Sequence, residues 1–319
     1  MKVDVLESKR LSGEAIWSVA VSATEPPLVA VANRSNVFLF TLAGGILSEL
    51  SVIESQHTKS IRSIDFKPIT NRERPNEYPT LAVASFDSTI SLYGADEVGQ
   101  PWEMLATLEG HESEVKCVRF TNGKLATCGR DKSVWLWDVD EMCEEVECNE
   151  VLNDHEGDVK CLCWLPTGEL VTGSYDDSLR IYRQYEDSGE WDCVAKIDIG
   201  STVWSLDFNA GSGELDVGTE GKLLFYRCQN KESSSGTIRG SQEWVLVREE
   251  SRDGVVYCLN NGLDSVTVEH AITSELMAKS GNKAAIVHAL GKVLTFAKCG
   301  EYLVVGDDAG WLRLCRLNF

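Results

Sequence analysis

Paired carboxylates, thiols and one short basic run are the features of this chain that could carry chemistry. Asp176-Asp177 and Asp307-Asp308 have the pairing that a general acid and base would use. Each pair stands at a turn between apolar runs, however, where a short carboxylate serves to hold local backbone. The eleven cysteines include no C-x-x-C pair. Cys161 and Cys163 are two residues apart, and Cys143 and Cys148 lie in a polar loop; neither spacing is that of a zinc or iron–sulfur site. Cys117, Cys161 and Cys258 fill a place in a recurring phrase that Ser18, Ser63, Ser205 and Thr295 fill elsewhere. That place asks for a small side chain, not for a metal ligand. No G-x-S-x-G elbow, phosphate-cradling Gly-Lys-Ser/Thr loop or H-E-x-x-H is present. The expectation is no catalytic residue, no metal and no cofactor. There remains C-G-R-D-K-S-V-W-L-W-D, Cys128 to Asp138, where Arg-Asp-Lys separates two apolar runs.

The elements around that run repeat. An apolar phrase recurs as I-W-S-V-A-V from Ile16, I-R-S-I-D-F from Ile61, V-K-C-V-R-F from Val115, V-K-C-L-C-W from Val159 and V-W-S-L-D-F from Val203. It returns as V-Y-C-L-N-N from Val256 and, more weakly, V-L-T-F-A-K from Val293. The spacing of roughly 40 to 50 residues is that of propeller blades. A second phrase follows the first in most copies, as in V-F-L-F, I-S-L-Y, V-W-L-W, L-R-I-Y and L-L-F-Y, with a small-residue strand such as L-A-T-C-G between. These short strands and tight turns predict one all-β domain over residues 1–319, a seven-bladed propeller. Its blades start near 14, 60, 114, 158, 202, 254 and 292. The last blade lacks an outer strand and V-D-V-L (Val3 to Leu6) precedes the first, so the N-terminal strand is expected to close the ring. Residues 68–79 and 231–242 read as polar insertions, and the strands after Gly254 are the least regular.

The third and fourth copies resemble the WD-repeat pattern. His111, Thr127, Asp131 and Trp137 match its four positions in one, and His155, Thr172, Asp176 and Tyr182 in the other. The resemblance implies a hydrogen-bonded tetrad, and the physics agrees, because half-buried polar groups need partners. Asp131 is therefore read as structural.

Fifty acidic residues against thirty basic give a net charge of −20. Such a chain is repelled by phosphate backbones and anionic lipid, so neither nucleic acid nor membrane is an expected partner. No apolar run has the length of a signal peptide or a membrane span. Scattered, unpaired cysteines fit reduced thiols in a cytoplasmic or nuclear compartment.

Against this acidity, one place gathers cations. The second residue of the recurring phrase sits near the mouth of the channel and reads Trp17, Arg62, Lys116, Lys160, Trp204, Tyr257 and Leu294. The residue before each turn's acidic or equivalent position reads Phe86, Arg130, Tyr175 and Thr219, on the same face. Arginine and aromatics are typical interface anchors. An acidic peptide with an aromatic residue or a free C-terminal carboxylate is the expected ligand. Arg130 then belongs to the partner, Asp131 to the turn and Lys132 to solvent.

S-F-D-S-T-I-S-L-Y, E-G-H-E-S-E-V-K, L-A-T-C-G-R-D-K-S-V-W-L-W and S-Y-D-D-S-L-R-I-Y-R resemble the cytosolic iron–sulfur cluster assembly WD-repeat family, most clearly from His57 to Phe208. That resemblance implies a non-enzymatic adaptor. It would join a HEAT-repeat scaffold and a small α/β subunit and dock iron–sulfur apo-protein clients, with the family's top-face arginine at Arg130. The family's Leu-Tyr-Arg triplet is Ile181-Tyr182-Arg183 here, so its cochaperone role is not carried over. The alternative is a WD-repeat substrate receptor of a ubiquitin ligase or a chromatin-complex subunit.

Overall fold

A computed structural model describes residues 2–68, 80–95, 100–121, 123–141, 143, 145–230, 242–260, 266–271, 275–280, 283–288 and 292–318. The first polar insertion, from residue 69 to residue 79, and the second, from residue 231 to residue 241, lie outside the described residues. The β-branched and aromatic runs form antiparallel strands, and no helix among the described residues is long and apolar enough to cross a membrane.

The strands follow one another as expected from the repeats. The outermost N-terminal strand is β1 (Lys2–Arg10). A first sheet holds β2 (Ile16–Val21), β3 (Leu28–Asn33), β4 (Asn36–Ala43) and β5 (Ile46–Glu54). A second holds β6 (Ile61–Phe66), β7 (Leu81–Ser85), β8 (Ile90–Gly94) and β9 (Glu103–Leu108). The third is β10 (Val115–Thr121), β11 (Lys124–Gly129), β12 (Val134–Val139) and β13 (Val146–Leu152). The fourth is β14 (Val159–Trp164), β15 (Leu170–Ser174), β16 (Ser178–Gln184) and β17 (Trp191–Asp198). Next come β18 (Ser205–Asn209), β19 (Glu214–Gly218), β20 (Glu220–Asn230), β21 (Gln242–Asn260), β22 (Val266–Ala271), β23 (Glu275–Ser280) and β24 (Lys283–His288), all in one sheet. The last sheet is β25 (Val293–Cys299), β26 (Tyr302–Asp307) and β27 (Trp311–Asn318), with β1 antiparallel beside β27 from Lys2 opposite Asn318 to Arg10 opposite Trp311.

This corrects the expected count. Among the described residues six sheets are present where seven separate blades were expected, because the fifth and sixth copies merge into one seven-stranded sheet. The cause is β21, whose first part pairs with β20 and whose last residues, Val256 to Asn260, pair with β22. This stretch has no proline and Gly254 as its lone glycine, so the chain changes partner without leaving the extended conformation.

The core lies between sheets. Ala30 and Leu39 of the first sheet pack with Ile64 and Leu81 of the second, and Ile90 and Leu92 of the second with Val118 and Leu125 of the third. Ile16 and Val29 of the first sheet also pack with Val304 and Leu314 of the last. The second strand of each sheet must be small for this to happen: a Cβ on Gly173 would stand 2.4 Å from Val203 Cγ1, and one on Gly306 2.5 Å from Ile16 Cγ2.

At the centre, the third residue of the recurring phrase reaches the next sheet. Ser18 Oγ accepts Ile64 N–H at 3.1 Å, and Ser63 Oγ accepts Val118 N–H at 3.2 Å. Cys117 Sγ accepts Leu162 N–H, and Cys161 Sγ points at Val203 O, 4.0 Å away. Ser205 Oγ donates to Val256 O at 3.1 Å, and Thr295 Oγ1 accepts Val19 N–H at 3.1 Å, which returns to the first sheet. All six side chains are buried. Ser18→Ala leaves the buried Ile64 amide without its acceptor and should cost about 1–3 kcal/mol. Urea unfolding should show a lower midpoint with an unchanged slope.

Candidate functional site

The turns are held by buried polar chains whose direction is set by tryptophan, which can only donate. Trp137 Nε1–H donates to Thr127 Oγ1 at 3.1 Å, leaving the Thr127 hydroxyl to donate to His111 Nε2 at 2.9 Å. His111 Nδ1–H then donates to Asp131 at 2.7 Å. Asp131 also accepts Glu112 N–H at 3.0 Å and the Ser133 hydroxyl at 2.8 Å. Burial raises the Asp131 carboxyl, and the hydrogen bonds from His111 and Ser133 more than reverse this, leaving it below the usual carboxylate range.

In the fourth sheet His155 lies 2.6 Å from Thr172 Oγ1 and 2.7 Å from Asp176. Burial again opposes the shift, but hydrogen bonds from Ser178, the Glu156 amide and His155 bring Asp176 down to about 2. Tyr182 departs from the expected tetrad: its ring is fully buried, and its hydroxyl has no hydrogen-bond partner among the described residues.

In the second sheet Asp87, which the repeat pattern marks as a turn aspartate, has partners the sequence reading missed: His57 Nδ1 at 3.1 Å and the Thr89 hydroxyl at 2.8 Å. The sequence signal was a histidine thirty residues before the aspartate, stretched by the insertion after Pro68. The acidic pairs also act in turns. Asp307 accepts Ala309 N–H and Trp311 N–H, and Asp308 accepts Lys292 N–H. Among the described residues no group of three or more His, Cys, Asp or Glu is placed to hold a metal ion.

These turns and inner strands assemble the channel mouth. Trp17, Arg62, Lys116, Lys160, Trp204 and Leu294 all line one cavity of about 70 Å³. The side chain of Tyr257 lies outside the described residues. The turn residues cover the cations: Arg62 lies 5.2 Å from the Trp17 ring and Lys116 4.5 Å from the Phe86 ring. Lys160 sits 3.7 Å from the Tyr175 ring centre and 5.2 Å from that of Trp204, two rings that meet edge-on at 5.2 Å. Burial lowers the Lys160 ammonium to about 8, helped by repulsion from Lys116 and Arg62 and opposed by Asp158.

Two acidic residues missed from the sequence moderate this cluster. Glu114 hydrogen-bonds Lys116 and stands 3.5 Å from Arg130, and Asp158 is 3.9 Å from Lys160. Both lie two positions before a lysine of the recurring phrase. Arg130 is the outermost cation, its side chain 59% exposed against 13% for Lys116. Its backbone N–H donates to Glu114 O at 2.9 Å, so the same residue anchors both ends. Lys132 takes φ +70°, matching Ser88 and Asp177 after the other turn aspartates.

The WD domain, G-beta repeat family matches residues 102–138 and 146–183, which run from β9 to β12 and from β13 to β16. A cytosolic Fe–S cluster assembly factor of Schizosaccharomyces japonicus is 41% identical over 126 residues, 38% of this chain and 19% of the relative. Cytosolic iron–sulfur protein assembly protein 1 of Candida albicans is 37% identical over 156 residues, 40% of this chain and 41% of the relative. The protein of that name in Lodderomyces elongisporus is 31% identical over 311 residues, 82% of this chain and 72% of the relative. The chain belongs to the cytosolic iron–sulfur protein assembly protein 1 family. Its fold is an all-β WD40 β-propeller. The matched stretches span less than half the length of the first two relatives.

The mouth carries a pH signature. Between about pH 8 and the ordinary lysine value of 10.5, the unfolded chain keeps a proton on Lys160 that the folded chain has released. Stability owed to this group therefore rises with pH across that window and is lost as pH falls through 8. Urea midpoints of wild type should show that rise, and Lys160→Met should flatten it.

Proposed function

We propose that this chain is a non-enzymatic adaptor of cytosolic iron–sulfur protein assembly, working in the cytoplasm, with the channel mouth as its client-docking face. The observation that carries this reading is the convergence of Arg62, Lys116, Lys160 and exposed Arg130 at one opening of a chain with net charge −20. Trp17, Trp204, Phe86 and Tyr175 hold the aliphatic stems and charges of these cations in place, which lowers the cost of ordering them on binding. The chemistry suits an acidic peptide segment, with Arg130 pairing a carboxylate in its two-pronged fashion. The names of the relatives supply the pathway. A HEAT-repeat scaffold and a small α/β subunit are the expected partners, and iron–sulfur apo-proteins the expected clients.

The test compares affinity capture by wild type and by Arg130→Glu. Wild type should bring down the HEAT-repeat scaffold with iron–sulfur enzymes. The variant, melting as wild type does because the side chain is exposed, should lose the enzymes by at least tenfold and keep the scaffold. Capture of a ubiquitin-ligase or chromatin subunit instead would place the propeller in another assembly.

The reading includes the ring itself. Residues 1–319 form one domain, with the seven-stranded sheet occupying two adjacent positions and β1 closing the last sheet. The antiparallel register of β1 with β27 and the Thr295–Val19 hydrogen bond support it. Removal of residues 1–8 should lower the melting temperature strongly; an unchanged value rules out closure by β1.

A further inference from the structure

The third sheet differs from its neighbours at one pair of positions beside the channel mouth. The residue opposite the third place of the phrase is Ala32 across from Ser18, Ala84 across from Ser63, Gly173 across from Cys161, Gly218 across from Ser205 and Gly306 across from Thr295. In the third sheet it is a second thiol, Cys128 across from Cys117. Directly opposed residues on antiparallel strands stand about 4.5 to 5.5 Å apart at Cα, inside the range that a disulfide spans. Both residues are buried. Cys128 Sγ lies 3.4 Å from Val159 O.

The two thiols are not equivalent. Cys117 Sγ receives hydrogen bonds from the Cys128 thiol, from Leu162 N–H and from Ser63, and Arg119 is close by; together these outweigh burial and favour its thiolate. Burial and the neighbouring Cys117 push Cys128 up, so it keeps its proton. Cys117 is also part of the wall of the cavity at the mouth, beside Lys116, whereas Cys128 is fully buried behind it. A nucleophilic thiolate with access to a small solute, backed by a protonated thiol, is the arrangement that oxidises in two steps.

We propose that Cys117 and Cys128 form a hydroperoxide-reactive pair that closes into a cross-strand disulfide. The Cys117 thiolate attacks one peroxide oxygen, forming S–O and breaking O–O, and the departing hydroxide takes a proton to become water. The Cys128 sulfur then attacks the sulfenic sulfur, forming S–S and breaking S–O, and the Cys128 proton leaves with the second water. Two thiols are oxidised and one hydrogen peroxide is reduced to two waters. Thiol reductants of the glutathione class reverse it. The site stands independently of the adaptor reading.

The experiment treats the reduced full chain with hydrogen peroxide, quenches it, blocks remaining thiols under denaturing conditions and maps tryptic peptides by mass spectrometry. The expected product joins the segments 117–119 and 125–130, two hydrogens lighter than their sum, with Cys163 and Cys315 still fully alkylated. Cys163 and Cys315 are buried and do not line that cavity, so their oxidation alongside the pair would show general unfolding and overturn the proposal. Alkylation of both Cys117 and Cys128 after treatment, or sulfinic acid on Cys117 with Cys128 free, would also overturn it. Cys128→Ser removes the resolving thiol and keeps a hydroxyl that can donate to Cys117. In that variant dimedone should trap a sulfenic acid on Cys117, and a folded variant without the adduct would sink the assignment.

Discussion

One side-chain atom per inner strand, reaching across to the next sheet, is what the rest of this structure depends on. The sheets meet mainly through apolar side chains, which are non-directional and would tolerate sliding. The oxygen or sulfur of Ser18, Ser63, Cys117, Ser205 and Thr295 does not tolerate it, because each has a buried backbone group as its partner. The register between neighbouring sheets is thereby specified to within a hydrogen bond. Since the second residue of the phrase is adjacent to this contact, the same constraint sets where Trp17, Arg62, Lys116 and Trp204 emerge. The mouth is positioned by the ring that lies directly beneath it.

The turn from Gly129 to Ser133 shows how local strain is carried. Lys132 adopts the left-handed region, which a lysine disfavours, and Asp131 compensates by accepting hydrogen bonds from His111, Glu112 and Ser133. With Asp131 pinned, Arg130 has a fixed backbone, anchored through its own N–H, and a side chain that extends into solvent. Three consecutive charged residues thus have three different duties. The turns at Asp87 and Asp176 repeat the arrangement with an aromatic residue in Arg130's place.

An acidic protein with a basic mouth faces a folding problem that two neighbouring carboxylates address. Lys116 and Lys160 are largely buried and repel each other and Arg62. Glu114 and Asp158, each two positions earlier on the chain, offset that repulsion locally without filling the opening. The aromatic rings do the same by a different route, presenting their electron-rich faces to the cations. The cations at the mouth are thereby ordered and partly desolvated.

The repeated phrase, with its period and its alternation, was sufficient for the strands, the propeller class, the chain from Trp137 to Asp131, the His155, Thr172 and Asp176 chain without Tyr182, and the convergence of the described second-place residues at one face. These are local properties: side chains alternate across a strand and turns follow Gly, Asp and Ser wherever they stand. Other features depended on what lies opposite in space. The merging of two copies through β21 follows from an extended chain finding partners on both sides. His57 joined Asp87 across an insertion, Tyr182 kept its ring in the core with its hydroxyl unpaired, and Glu114 came to serve Lys116 and Arg130 together. The pairing of Cys117 with Cys128 belongs to the same class, for a register match between strands is invisible in spacing along the chain. The sequence by itself determined which residues could be strand, turn or cation; only the tertiary structure decided their neighbours, because hydrogen bonds and charges act over a few ångströms of space whatever the distance along the chain.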